Sequence, residues 1–301
     1  MIRPPSLKPG DTLGIVPPSK SVNREYIETA VNIFEGWGLK VVLSPNIYRT
    51  HYQFAGEDDL RRVALQEFLD NPEIKTICCA RGGYGMTRII DHLSFKKFTS
   101  SPKWVMGFSD ITPLLIKIFS LGMESIHGPM PITFEPGKDP QSLQYLKSLL
   151  FDNWDPVYRF PPHPFNRPGT AEGRVIGGNI SLLCHIVGTP SDFETRGNIF
   201  FLEETDEYLY RFDRMLVQLK RAGRLDHPAG LMVGHLTRIT DNDEPFGSTA
   251  EEIIAEKVAS FNYPLCFGAP LGHVHPNYPI PVGRSGQLKV TGDSVILSFK
   301  K

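Results

Sequence analysis

The chain has 301 residues, 41% of them hydrophobic and 22% charged, and a formal net charge of −1 at pH 7. This is the composition of a soluble globular protein, and the length suffices for one large domain or two ordinary ones. The near-neutral charge gives no indication of the strongly basic surface that binds nucleic acid or an anionic membrane. No stretch approaches the roughly 18 apolar residues of a membrane span, so neither nucleic acid nor a membrane is an expected partner.

The four cysteines favour a reducing compartment. Adjacent Cys78 and Cys79 would point to opposite faces of a strand, which argues against a bond between them. No Cys-x-x-Cys spacing includes Cys184 or Cys266, which argues against structural zinc. The N-terminus carries charges and prolines where a signal peptide would have an unbroken apolar core. We therefore predict free thiols in a cytoplasmic protein.

Strand and helix patterns alternate through the first 150 residues. The segment TLGIV (12–16) is a short apolar strand, and the helix after it has Ile27, Ala30 and Phe34 at helical spacing. Further strands are predicted at 40–43, 74–80 and 104–108, and further helices around 60–68, 86–93 and 112–121. Such alternation predicts a mostly parallel sheet with helices on both faces.

The pattern changes near residue 150, where five prolines between Trp154 and Gly169 indicate an extended connector. Beyond it we expect shorter strands, a helix from about Tyr208 to Arg221, a helix opening with a capping box at Ser248-x-x-Glu251, and a C-terminal hairpin. The expected fold class is α/β. Its predicted parts are an N-terminal α/β domain (1–150), a connector (151–169) and a more β-rich α+β C-terminal domain (170–301).

Ser109 stands between a predicted strand and the helix that follows, in WVMGFSDITPLL. At the carboxyl edge of a parallel sheet, a serine hydroxyl and the next backbone N–H groups face a ligand together. This is the arrangement of a nucleophile elbow, although the second glycine of G-x-S-x-G is missing. The alternative is a plain helix cap, because Ser and Asp are favoured there.

The segment RGGYG (81–85) follows the preceding strand and would lie next to Ser109. Its glycines permit close backbone approach to a ligand, but it lacks the spacing and the Lys-Ser/Thr ending of a phosphate loop. It is either a second donor loop or only a tight turn.

A serine nucleophile needs a basic partner, and histidine is the usual one. Of the nine histidines, His163 and His227 lie in segments typical of the surface, whereas His273 and His275 share a loop rich in Gly and Pro. Two histidines at i, i+2 without a third ligand nearby do not make a zinc site. No metal or cofactor is predicted.

The base needs an orienting acid, and Glu203 is the first carboxylate after the apolar strand 198–202. The end of a strand is rigid enough to aim a carboxylate at an imidazole. The alternative is that Glu203 belongs, with Glu204, Asp206 and Glu207, to one solvated acidic face before a helix.

Six segments taken together carry a family resemblance. They are RGGYG, GFSD, HGP (127–129), GGN (177–179), LEE…YRFDRM and GHVHPNYPIPVG. With them the sequence resembles the LD-carboxypeptidases, the muramoyltetrapeptide carboxypeptidase family of serine peptidases, which also includes the microcin-immunity peptidases. The resemblance runs from LKPGDTLGIVPPS almost to the C-terminus.

The resemblance implies a Ser-His-Glu triad divided between two domains. The family serine falls on Ser109, and the family glutamate on Glu203 rather than Glu204. The motif G-H-x-x-x-N-x-P selects His273 over His275.

The resemblance also implies an oxyanion hole from backbone N–H groups, at Asp110 and in the Gly82–Gly83 loop. Arg81, Gly82 and Asn179 are the candidate substrate-binding residues. Arg81 has the charge to bind a terminal carboxylate, or it braces the glycine loop instead.

The implied activity is hydrolysis of the L,D-peptide bond that releases terminal D-alanine from murein tetrapeptides, by a homodimer. Two alternatives stay open at this point. One is a microcin-type peptidase acting on acyl-peptide or nucleotide-peptide substrates, and the other is a non-catalytic module that binds a small ligand.

Overall fold

The computed structural model describes residues 1–135 and 137–300, which form two compact units. The first comprises Met1–Trp154 with Tyr278–Val282, and the second comprises Asp155–Asn277 and the chain from Gly283 onward. The strands are β1 (Thr12–Val16), β2 (Lys40–Leu43), β3 (Ile74–Cys79), β4 (Trp104–Gly107), β5 (Ser125–His127), β6 (Val157–Phe160), β7 (Gly169–Asn179), β8 (Ile199–Thr205), β9 (Gly230–Thr237), β10 (Leu265–Cys266), β11 (Ile280–Val282), β12 (Ser285–Val290) and β13 (Val295–Phe299). The helices are α1 (Arg24–Gly36), α2 (Asp58–Asp70), α3 (Lys96–Ser100), α4 (Thr112–Ser120), α5 (Pro140–Phe151), α6 (Ile180–Ile186), α7 (Leu209–Arg221) and α8 (Ala250–Lys257).

The first unit contains a six-stranded sheet in the order β11-β5-β4-β3-β1-β2. Strands β1 to β5 run parallel to one another, and β11 is antiparallel to β5. The predicted mostly parallel sheet is confirmed. Because β4 lies beside β3, the loops that follow these two strands meet at one edge of the sheet.

Apolar side chains cover both faces of this sheet. On β3, Ile77 and Cys79 pack in one cluster with Phe68, whereas Cys78 packs in the opposite cluster with Phe34. The adjacent thiols therefore point to opposite faces as predicted, and the four cysteines are free and buried. Burial on both faces explains why the parallel strands read as continuous apolar runs.

The second unit contains a seven-stranded sheet in the order β10-β9-β8-β7-β12-β13-β6. Its long strand β7 joins two halves, because 175–179 pairs parallel with β8 while 169–174 pairs antiparallel with β12. Helix α7 buries Phe212, Leu216 and Leu219, a stripe at helical spacing. The expected fold class is confirmed: an α/β protein with a mostly parallel, helix-flanked N-terminal sheet and a second, more β-rich α+β domain.

Two segments differ from the predicted domain boundaries. The predicted connector 151–169 contains β6, an edge strand paired with β13. In this strand the buried side chains of Tyr158 and Phe160 alternate with exposed ones. The segment Tyr278–Val282 lies within the predicted C-terminal domain (170–301), yet it belongs to the first unit because β11 pairs with β5.

Two helix predictions were wrong in detail. Residues 86–93 form two 3₁₀ turns rather than one helix. The capping box of α8 uses Thr249 and Glu252, one residue later than the predicted Ser248 and Glu251. Among the residues that the structure describes, no helix combines the length and the apolar character needed to cross a bilayer.

Candidate active site

Ser109 lies in a tight turn directly after β4, at the carboxyl edge of the first sheet. Its φ is +60°, in the left-handed region that side chains rarely adopt. Gly107 permits the turn, because a Cβ there would lie 3.0 Å from the side chain of Ile111. A helix cap has an extended backbone. The strained strand-turn-helix geometry therefore favours a nucleophile elbow over a plain cap.

The glycine loop that follows β3 packs against this turn. A Cβ on Gly82 would lie 3.1 Å from the Cβ of Ser109 and 3.2 Å from the backbone nitrogen of Asp110. Gly83 has a φ of +100°, a conformation that favours glycine. The loop thus brings its backbone next to the serine, as the sequence predicts.

If the predicted oxyanion hole is correct, Gly82→Ala lowers kcat by about 100-fold, because the added methyl group would obstruct the N–H groups predicted to face the oxyanion. Gly36→Ala is the matched control, since a Cβ there meets nothing within 4 Å. Steady-state kinetics on both variants, with melting temperatures, provide the measurement. Full activity in a folded Gly82→Ala protein would show that this loop does not face the reacting carbonyl.

The side chain of Asp110 ties the serine turn to two other loops. It is fully buried, and its Oδ2 accepts hydrogen bonds from Ser19 Oγ at 2.5 Å and from the Met86 backbone N–H at 2.8 Å. Burial raises the pKa of this carboxyl group, and the two hydrogen bonds oppose that rise. The loops after β1, β3 and β4 are therefore connected through one carboxylate.

A buried arginine donates hydrogen bonds to the backbone of two of these loops, those after β1 and β3. The Arg61 guanidinium donates to the carbonyl oxygens of Pro18 at 2.5 Å and Gly85 at 3.0 Å. Gly85 has a φ of +141°, and a Cβ there would lie 2.7 Å from this guanidinium. The shape of the glycine loop thus depends on a cation that no short sequence motif reveals.

In this structure the Arg81 side chain donates a hydrogen bond to another loop of the same unit. Its Nη1 donates to the carbonyl oxygen of Ser21 at 2.9 Å, which connects the glycine loop to the loop after β1. This contact supports the bracing alternative. Recognition of a substrate carboxylate by Arg81 stays a prediction.

In the second unit, Glu203 and His273 form a hydrogen-bonded pair. The Nδ1 of His273 lies 2.7 Å from Glu203 Oε2, and the Glu203 side chain is fully buried. Burial would lower the pKa of His273, but the charge and hydrogen bond of Glu203 outweigh it, so the pKa lies above its usual 6.5. Glu203 is therefore not part of a solvated acidic face.

A β-bulge places this pair. Between the pairs Leu202–Val233 and Glu204–Leu236, strand β9 has one residue more than β8. The bulged His235 donates its backbone N–H to the carbonyl of Leu271 at 2.8 Å, which connects the histidine loop to β9 beside the end of β8.

Glycine and asparagine shape the histidine loop itself. Gly272 has a φ of +126°, and a Cβ there would lie 3.3 Å from Glu203 Oε2. Its backbone N–H donates to Asn277 Oδ1 at 3.1 Å. The asparagine of the G-H-x-x-x-N-x-P motif thus holds the residue directly before His273.

Asn179 is 3% exposed and caps α6. Its Oδ1 accepts from the Leu182 backbone N–H at 3.3 Å, and its Nδ2 donates to Glu204 Oε1 at 2.8 Å. These contacts are structural, and a contact with substrate stays a prediction.

Sequence reasoning missed two titratable residues near His273. His235 lies at the β9 bulge, and burial lowers its pKa. Arg238 follows β9 and pairs with Asp206, and both have left-handed backbones. The signal available in the sequence was their position at the end of an apolar strand next to the strand that carries Glu203.

Within residues 1–135 and 137–300, no group of three His, Cys, Asp or Glu side chains is arranged to hold a metal ion. His275 is exposed, and Glu203 pairs with His273 instead.

The first unit has a serine in a strained turn beside a glycine loop, the second unit has a carboxylate–histidine pair, and sequence comparison identifies the class of protein. The chain belongs to the LD-carboxypeptidase family. It matches the LD-carboxypeptidase N-terminal domain over residues 13–128 and the C-terminal domain over residues 172–288. The resemblance inferred from the motifs is thereby confirmed, and the family is one of carboxypeptidases.

Individual relatives agree with this assignment. The Bacillus subtilis protein named "Probable murein peptide carboxypeptidase" is 32% identical over 98% of this chain and 94% of its own length. The muramoyltetrapeptide carboxypeptidase from Oxalobacter formigenes is 26% identical, with a TM-score of 0.88 over 96% of this chain and 99% of that one. The microcin C7 self-immunity protein MccF, solved with aspartyl sulfamoyl adenosine, has a TM-score of 0.84 over 98% of both chains. At 22% identity, MccF shows the shared fold alone.

Proposed function

We propose that the protein is a serine carboxypeptidase that cuts the L,D-peptide bond before the terminal D-alanine of murein tetrapeptides. Membership of the LD-carboxypeptidase family supports the peptidase chemistry, and the names of two relatives support a murein peptide as substrate. The observation that carries the proposal is the 2.7 Å contact between His273 Nδ1 and buried Glu203, because a carboxylate acceptor fixes the proton on Nδ1, the tautomer in which Nε2 has the lone pair of a base.

In the proposed reaction, His273 takes the proton of Ser109 Oγ as that oxygen attacks the scissile carbonyl. Glu203 keeps the imidazole oriented and stabilises the imidazolium. Backbone N–H groups of Asp110 and Gly83 stabilise the oxyanion. His273 then protonates the leaving amine of D-alanine, and water hydrolyses the acyl-enzyme. The proposal requires the two units to bring the imidazole within hydrogen-bonding reach of Ser109.

The test is release of D-alanine from a murein tetrapeptide that carries its diamino acid in the L configuration at the scissile bond. The same peptide ending in L-alanine, and the peptide with an amidated C-terminus, are the matched controls. We expect release from the first peptide only. Equal hydrolysis of the L-alanine peptide, or cleavage at an internal bond, would contradict an L,D-carboxypeptidase.

The likeness to MccF makes an acyl sulfamoyl nucleotide the second substrate to test. Hydrolysis of aspartyl sulfamoyl adenosine, without D-alanine release from the tetrapeptide, would assign the microcin type of activity. Binding of either compound without turnover would favour the non-catalytic alternative.

The proposed mechanism gives the activity a defined pH dependence. Neutral His273 is the base, and the pKa of this residue is raised above 6.5 through Glu203 despite burial. Activity therefore rises with pH through the raised pKa, and we expect the acidic limb of kcat/KM above pH 6.5. A pH profile of D-alanine release measures it, and a limb centred clearly below pH 6.5 would contradict His273 as the base.

The homodimer and the cytoplasmic location stay predictions. The first follows from the family resemblance and the second from the free cysteines.

A further inference from the structure

Glu204 is a second carboxylate buried at the end of β8, directly after Glu203. It is 2% exposed. Its Oε1 accepts hydrogen bonds from Asn179 Nδ2 and from the Thr205 backbone N–H, each at 2.8 Å. Its Oε2 accepts from the Ser181 backbone N–H at 2.9 Å and from Ser181 Oγ at 2.6 Å. Both oxygens are thus held by the protein itself.

These partners favour an ionised side chain. The backbone N–H groups of Thr205 and Ser181 can only donate, and they point at different oxygens of Glu204. A glutamine has one acceptor oxygen, so its amide NH₂ would face one of these N–H groups. Burial and the charge of Glu203 raise the pKa of Glu204, and the hydrogen bonds oppose that rise. Four donors on two buried oxygens are the pattern that stabilises an anion.

The hydrogen bonds of Glu204 connect three elements around the Glu203–His273 pair. Asn179 ends β7 and is the register partner of Glu203, while Ser181 lies in the first turn of α6. Removing the anion would remove the side-chain hydrogen bonds that connect the end of β8 to Asn179 and to α6, while the backbone pairing of β7 with β8 would remain. Glu203 directly precedes Glu204 at that strand end.

We infer that Glu204 is a positioning residue of the active site. Its ionised carboxylate holds the end of β8 in place, so that the Glu203 carboxylate stays oriented toward Nδ1 of His273. Its negative charge also adds to the charge of Glu203 near the His273 imidazole. The catalytic meaning of this inference rests on the proposed function. The electrostatic part can be measured without any substrate.

The effect of Glu204 on the pKa of His273 adds to the effects of the other charges around the imidazole. Among the described residues, the titratable and charged groups that interact electrostatically with the imidazole include Glu203 and Glu204 on β8, Asp206 after it, His235 on β9 and Arg238 after that strand. Burial lowers the pKa of His273, Glu203 raises it most, Glu204 raises it further, and Arg238 lowers it. Glu204 therefore acts in the same direction as the orienting acid.

The test compares Glu204→Gln with Glu256→Gln, which removes one negative charge from an exposed position on α8 of the same unit. The titration of His273 is followed by ¹⁵N NMR of its imidazole. We expect the midpoint in Glu204→Gln to fall by about half a pH unit or more, and the midpoint in Glu256→Gln to stay unchanged. We also expect kcat of Glu204→Gln to fall about tenfold while KM changes less than about twofold. Equal midpoints in the two variants would overturn the inference.

Ser181→Ala provides a second variant in case Glu204→Gln does not fold. It removes one donor to Glu204 and leaves the charge in place. We expect a fall in kcat of about threefold with an unchanged His273 midpoint. Unchanged kcat and KM would remove the positioning role. A natural protein that releases no D-alanine would instead refute the proposed function, and the NMR comparison would still decide whether Glu204 acts on His273.

Discussion

Replacing Ser109 with alanine is expected to lower kcat for D-alanine release by about 10⁴-fold or more, because the proposed acyl-enzyme cannot form without the serine oxygen. The fold should be retained. Alanine has almost the same volume as serine, and the strain of a φ of +60° is common to both residues. The remaining rate would come from substrate binding and the oxyanion donors alone.

Ser120→Ala is the matched control, since it removes an exposed hydroxyl from the other end of the helix that follows Ser109. A fluorophosphonate probe should label the natural protein and the control but not Ser109→Ala. Release of D-alanine at the natural rate by folded Ser109→Ala would show that another group attacks the peptide.

Replacing Glu203 with glutamine is the second large expected effect, a fall in kcat of about 10³- to 10⁴-fold. The glutamine amide can donate to Nδ1 of His273, which leaves the proton on Nε2, where the lone pair is needed to accept the Ser109 proton. The imidazolium would also lose the buried charge that raises the pKa of His273. The acidic limb of the pH profile should therefore move to lower pH.

Glu256→Gln again provides the control for loss of one charge from the second unit. Activity and thermal unfolding are measured on both variants. If Glu203→Gln kept more than about a tenth of the natural kcat, the proposed triad would lose its acid, and His273 would have to act without an orienting carboxylate.

Much of the site was accessible from the sequence because strand ends and glycines leave strong signals. The turn at Ser109 follows a buried strand, and the parallel order of the sheet places RGGYG beside it. Glu203 was identified as the first carboxylate after an apolar strand, but the residues alone left a solvated acidic face open. The choice between Glu203 and Glu204, and between His273 and His275, came from the family resemblance.

The remaining features depend on contacts between segments far apart in the chain. The β9 bulge draws Leu271 toward His235, and no local pattern marks which strand gains the extra residue. Arg61 reaches the glycine loop from a helix 24 residues away from Gly85. Charge alone made Arg81 a candidate for a carboxylate ligand, whereas its observed contact is the carbonyl of Ser21.

The segment Tyr278–Val282 illustrates the same limit for the fold. Its few residues include two prolines and read as part of a loop, yet Ile280 pairs with His127 as part of an edge strand. A strand of three residues gains its stability from the sheet that it joins, so its own sequence carries little signal.

The most direct test of the proposed serine mechanism is capture of the acyl-enzyme. The natural protein is mixed with the murein tetrapeptide, quenched in acid within milliseconds to seconds, and examined by intact-mass and peptide mass spectrometry. We expect an added mass equal to the peptide without its D-alanine, attached at Ser109 and absent from Ser109→Ala. D-alanine released at a normal rate by a Ser109→Ala protein, or an acyl group attached to a different residue, would contradict it.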